Sequence, residues 1–148
     1  MKEIEIAIGS YYKPVTDQGG YAYHILTDDF EYHFSDCFYN TTSQRMEMRA
    51  FIESVKHVYS KYGREINVTV YTKLDSQIKA LKRKAFQGSN KDLYDSVLNL
   101  PTHIVQKVVH QKPGSEYYTL VDKLCALEEI KIPVKQDKPS ESKSTPLF

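Results

Sequence analysis

The chain has 148 residues with 20 Lys or Arg against 19 Asp or Glu, so it is a single domain by length, and its balanced charge supplies no global basic field that would announce a nucleic-acid binder. Only a local patch could serve that role. Two cysteines, an opening MKEIEI without an apolar secretory run, and the absence of any stretch near the roughly 20 apolar residues of a membrane span predict a soluble protein of a reducing, cytoplasmic compartment.

In chain order, KEIEIAIG alternates Ile4, Ile6 and Ile8 with polar or small neighbours, the period of a strand. GYAYHILT and FEYHFSDCFYN are two further strands joined by a tight turn at Asp28 and Asp29, and together they open the chain as an antiparallel ribbon. The chain's twelve tyrosines suit half-buried strands as well as base stacking. From Ser43 to Tyr62 the period lengthens: Met48, Phe51, Ile52, Val55, Val58, Tyr59 and Tyr62 form one helical stripe, and Gly63 is its stop signal. Thr41 and Gln44 have the spacing of a capping box at its start, and Glu47 falls at the edge of the buried stripe, where a carboxylate is costly unless paired. REINVTVYT is the next strand; LDSQIKALKRKAF and SNKDLYDSVLNL are short helices; THIVQKVVH is a strand, and SEYYTLVDKLCALEEI is a last amphipathic helix capped by Ser115. Beyond Lys131 the composition turns to Pro, Ser and Lys without apolar periodicity. Residues 1–130 therefore read as the domain and 131–148 as a disordered C-terminal tail.

Two motifs carry a family resemblance. GGYAY followed by TTSQRMEMRAFIESV resembles the ribonuclease H type 1 family, whose second strand starts Gly-Gly-Tyr and whose first helix starts Thr-Thr-x-x-Arg-Met-Glu; NKDLYDSVLNL and YTLVDKLCAL are similar to later parts of it. The resemblance spans residues 2 to about 128. It implies an α/β fold of the ribonuclease H-like kind: a five-stranded mixed sheet, its first three strands antiparallel, with helices on both faces. It also implies an activity in which four carboxylates hold two magnesium ions that cleave the RNA strand of an RNA/DNA hybrid.

The match transfers Glu47 and Asp122 as two of those carboxylates. The first-strand aspartate falls on Gly9, or on Ile8 if shifted by one, and the third falls on Lys73, unless a two-residue insertion brings Asp75 into register. A flexible histidine of the family is replaced, with Lys112 the nearest occupant. Lys73 would then substitute its ammonium for a metal, pairing with Glu47 or Asp122. The resemblance thus implies a nucleic-acid-binding domain, a pseudoenzyme with impaired or absent catalysis. The alternatives are a magnesium- or manganese-dependent hybrid endoribonuclease using Glu47, Asp75 and Asp122, and a protein-interaction scaffold that keeps only the fold. Expected nucleic-acid contacts are Thr42, Ser43, Gln44 and Arg45 at the helix start, where the family reads RNA 2′-hydroxyls, and Lys79, Lys82, Arg83 and Lys84 in KALKRKAF.

Three features lie apart from that reading. With a turn confined to Asp28 and Asp29, His24 and His33 stand opposite each other, a cross-strand pair that as two imidazoles lacks a third metal ligand. Cys125 reads as core. The terminal STPLF is similar to peptides that dock on bacterial sliding clamps, which implies a replication-protein contact, though without the glutamine that usually opens such peptides.

Overall fold

The computed structural model describes residues 1–84, 90–111 and 135–138. The alternating isoleucines build β1 (Lys2–Lys13), which pairs antiparallel with β2 (Gln18–Leu26), and β2 pairs antiparallel with β3 (Glu31–Tyr39). The β2–β3 turn closes with the Thr27 N–H donating to the Phe30 carbonyl at 2.8 Å, and the register sets His24 opposite His33, as the sequence predicts. Between β1 and β2 the two chains approach very closely. A Cβ on Gly19 would lie 2.7 Å from Thr41 Cγ2 and 2.9 Å from the Tyr11 carbonyl oxygen, so the Gly-Gly pair is there for want of room.

The apolar stripe forms α1 (Ser43–Tyr62) with the predicted bounds. Gly63 ends it at φ 76°, a conformation that costs a residue without Cβ little, and its N–H donates to the Tyr59 carbonyl at 2.8 Å. The predicted capping box is displaced by one residue: the N-cap is Thr42, whose hydroxyl accepts from the Arg45 N–H at 3.1 Å, which leaves Thr41 and Gln44 outside that role.

β4 (Ile66–Thr72) runs parallel to β1, α2 (Asp75–Lys82) and α3 (Lys91–Val97) follow, and β5 (Val105–His110) runs parallel to β4. THIVQKVVH is not strand throughout. Its first three residues form a 3-10 turn, Thr102–Ile104, with the Thr102 hydroxyl donating to the Lys82 carbonyl at 2.9 Å. The sheet order is β5-β4-β1-β2-β3-β6, six strands and not five, because β6 (Lys135–Gln136) adds to β3 from within the segment expected to be a free tail.

One cluster unites Ile4, Ile6 and Ile8 of β1, Phe51 and Val55 of α1, Ile78 and Leu81 of α2, and Leu93 of α3, so the described helices cover the same face of the sheet. The expected helices on both faces would need the last one, over 115–130. That segment, with Cys125 and its cap Ser115, lies outside the described residues, as does the terminal STPLF. No helix among the described residues is long and apolar enough to cross a membrane.

Candidate functional site

Ser10 and Thr72 sit toward the ends of the adjacent parallel strands β1 and β4, and the period-two pleat turns both toward the face that α1 covers. Glu47, in the second turn of α1, comes down between them with no exposed surface. Its Oε1 accepts from the Ser10 hydroxyl at 2.7 Å; its Oε2 accepts from the Thr72 hydroxyl at 2.6 Å and from the Lys73 N–H at 3.2 Å. Lys73 then folds its side chain across to β1, donating from Nζ to the Ser10 carbonyl at 3.2 Å. Gln111, past β5, ties the same strand ends together: its N–H donates to the Thr72 carbonyl at 2.8 Å and its Nε2 to the Ile8 carbonyl at 3.3 Å.

Burial is the largest influence on Glu47 and raises its pKa above the ordinary carboxylate value. The two hydroxyls, the Lys73 charge and the Lys73 N–H pull it back without cancelling the effect. A carboxyl offers about four lone-pair positions, and three are already accepting. Two magnesium ions demand several oxygen donors in near-octahedral array. Among the described residues no group of three potential ligand side chains includes Glu47, and the Lys73 ammonium adds a positive charge to its surroundings. Glu47 and its described neighbours do not by themselves supply the donors of a two-metal centre. Asp122 and Lys112 lie outside the described residues.

The sequence expectation places Gly9, or Ile8, at the family's first-strand aspartate, and neither offers a side-chain oxygen. The β1 side chain that bonds Glu47 is Ser10, neither Gly9 nor Ile8, so an oxygen does face the helix, though a neutral one. β1 runs on to Lys13, and the link to β2 turns sharply at Asp17, φ 54°. Lys73 meets Glu47 through its backbone N–H, and its ammonium reaches the Ser10 carbonyl. Asp75 is engaged elsewhere: at the first turn of α2 its Oδ1 lies 3.1 Å from His110 Nδ1 and its Oδ2 3.6 Å from Lys79 Nζ.

Of the expected nucleic-acid contacts at the helix start, Ser43 is exposed and Thr42 and Gln44 are partly exposed, but Arg45 is 2% exposed and turned inward. Its guanidinium donates to Asp92 in two parallel bonds of 2.9 and 2.7 Å, to Asn90 Oδ1 at 3.3 Å, and from Nε to Asp137 Oδ2 at 2.7 Å. Asp137 also accepts from the Thr41 hydroxyl at 2.6 Å and from Arg49. Arg45 therefore fastens α1 to α3 and to the 135–138 segment, and its fork is not available to a phosphate. The corresponding signal in the sequence was the lone acid in an otherwise basic VKQDK. In KALKRKAF, Lys79 and Arg83 are exposed and Lys82 and Lys84 partly so, with Lys84 Nζ donating to the Leu98 carbonyl at 3.0 Å.

Neither a protein-family model nor a curated protein matches this sequence. Solved structures do. The N-terminal RNase H domain of Rv2228c from Mycobacterium tuberculosis, determined as a maltose-binding-protein fusion, superposes with a TM-score of 0.67 at 12% identity, over 86% of this chain and 94% of that one. RNase H1 from the halophilic archaeon Halobacterium salinarum NRC-1 gives 0.63 at 11% identity, over 86% and 97%. LC11-RNase H1, solved in complex with an RNA/DNA hybrid, gives 0.64 at 14% identity, over 84% and 94%. The fold is ribonuclease H-like.

Proposed function

We propose that the chain is a ribonuclease H-fold module that binds RNA/DNA hybrid, or a nucleic acid of similar shape, without cleaving it through two metal ions. The observation that carries the second half is the environment of Glu47: three donors and a lysine charge surround the one carboxyl that α1 brings to the strand ends. Such a group is stable and catalytically silent. Binding is supported by the fold, one of whose structural neighbours was solved with a hybrid, and by surviving surface chemistry. Ser43 and Gln44 at the helix start offer a hydroxyl and an amide suited to 2′-hydroxyls, and Lys79, Lys82 and Arg83 supply positive charge near phosphates.

A labelled RNA/DNA hybrid, followed by fluorescence anisotropy and by denaturing gel in magnesium or manganese, tests both halves. The hybrid is bound, its affinity falls steeply with added salt as phosphate counterions are released, and it stays intact. Cleavage that Glu47→Gln abolishes would make the protein a nuclease with a rearranged carboxylate set, and absence of hybrid binding at low salt would leave only a protein-interaction scaffold.

A further inference from the structure

We propose that His24, Glu31 and His33 form a binding site for a divalent transition-metal ion, zinc by preference, on the β2–β3 hairpin. The site owes nothing to the Glu47 pocket. Tyr23 turns toward α1, where its hydroxyl meets His57 Nδ1 at 3.1 Å, so the adjacent His24 points to the opposite face of the sheet. His33 is its cross-strand partner, and Glu31, two residues before His33 on β3, shares that face.

The three side chains converge on one point. The imidazoles stack with centroids 4.5 Å apart and planes 10° from parallel, and the Nε2 of each faces the Glu31 carboxylate. The Glu31 carboxylate spans them, Oε1 lying 3.3 Å from His33 Nε2 and Oε2 lying 3.7 Å from His24 Nε2. One ligand atom from each of the three lies within 4.8 Å of the others, and among the described residues this is the group of three ligand-bearing side chains that does so. A tetrahedral zinc ion with bonds of about 2.0–2.1 Å holds its ligands about 3.3 Å apart and lies near the plane of each imidazole, so binding draws the three ligand atoms together and tilts the exposed His33 ring out of its stack on His24. Two imidazoles and one carboxylate are a donor set suited to zinc in softness, and three protein ligands leave a fourth position for water or an exogenous ligand.

Preorganisation favours binding further. The histidines are held by the ladder of two paired strands, and His24 is 4% exposed, so its ring is already placed. His33 and Glu31 are 38% and 57% exposed, which leaves the ion a path from solvent. Glu31 between two imidazoles is also the geometry of an ordinary acid–histidine contact, and metal addition separates the two readings.

The test is calorimetric titration of the full chain with zinc chloride, alongside thermal melts with and without the metal. One equivalent binds and raises the melting temperature. His33→Ala and Glu31→Gln, both at exposed positions, keep the metal-free melting temperature and lose at least about tenfold in zinc affinity. Asp75→Asn, which disrupts the separate Asp75–His110 contact, leaves zinc affinity unchanged. Cobalt in place of zinc gives visible absorption that His33→Ala removes. No saturable uptake by the wild type, or equal uptake by His33→Ala and Glu31→Gln, would overturn the assignment.

Discussion

Glu47 has no contact with water, yet every group hydrogen-bonded to it is a donor: Ser10, Thr72 and the Lys73 N–H. Its pKa nevertheless lies above the ordinary value, because burial outweighs those bonds and the Lys73 charge. The consequence for stability has a definite sign. A carboxyl whose folded pKa exceeds the unfolded value, about 4.3, contributes fully below that pH and loses its contribution as pH rises through the folded pKa. Glu47→Gln removes the titration while keeping the bonds, since the amide oxygen accepts from Thr72 and Lys73 and the Ser10 hydroxyl turns to accept from the amide. Urea midpoints measured from about pH 4 to pH 8 will therefore show the variant gaining on the wild type as pH rises. Parallel profiles would mean that Glu47 titrates as a solvated acid does.

At the scale of elements, the start of α1 and the Gly-Gly strand hold each other in place. Thr42 caps the helix, so Thr42→Ala costs about 1 kcal/mol, whereas Gln44→Ala, stripped of its expected capping role, stays within about 0.5 kcal/mol in chemical denaturation. Gly19→Ala is harsher: its Cβ meets Thr41 Cγ2 at 2.7 Å and the Tyr11 carbonyl at 2.9 Å, and of these the backbone cannot yield. A loss of about 1–3 kcal/mol follows, read from the same denaturation curves, and a neutral result would mean that β1 and β2 separate freely there. How far the sequence foretells this region depends on the signal. Helix bounds were legible because the stripe Met48, Phe51, Ile52, Val55 and Val58 has an unambiguous period and Gly63 closes it. The cap was not, since Thr41 and Thr42 are chemically the same and only backbone direction chooses between them. Glu47 was legible through its motif, whereas Ser10 was not: a neutral hydroxyl in a strand carries no charge signal, and the turn at residues 14–17 hides its register. Glu31 escaped as a third ligand for the histidine pair because i, i+2 neighbours on a strand acquire a common target only once the strand is paired.

For the whole molecule, the least legible contact ties Asp137 to the start of α1. The composition of residues 131–148 predicts a chain with nothing to bury, yet Asp137 is buried and accepts from Thr41, Arg45 and Arg49, all at the start of α1. Local composition cannot reveal a charge whose partners lie some ninety positions earlier. Burial raises the Asp137 pKa, but the bonds from Arg45 and Thr41 and the Arg49 charge outweigh it, so the group stays below the ordinary carboxylate range. Arg45 is committed in turn, because it also holds Asp92 of α3. Removing Asp137 leaves a buried guanidinium short of one of its counter-charges, and breaking such a pair costs about 3–5 kcal/mol. A chain ending at residue 134, and the full-length Asp137→Ala, will each lower the urea midpoint by a similar amount, which separates loss of the carboxylate from loss of β6. Acid will act on the wild type in the direction opposite to Glu47: a depressed pKa gives stability that is full above about pH 3.9 and disappears as pH falls through the folded value. Asp137→Ala lacks that acid limb. Should truncation at 134 leave the midpoint unmoved, the segment is a passenger on the fold, and Arg45 is satisfied by Asp92 and Asn90 alone.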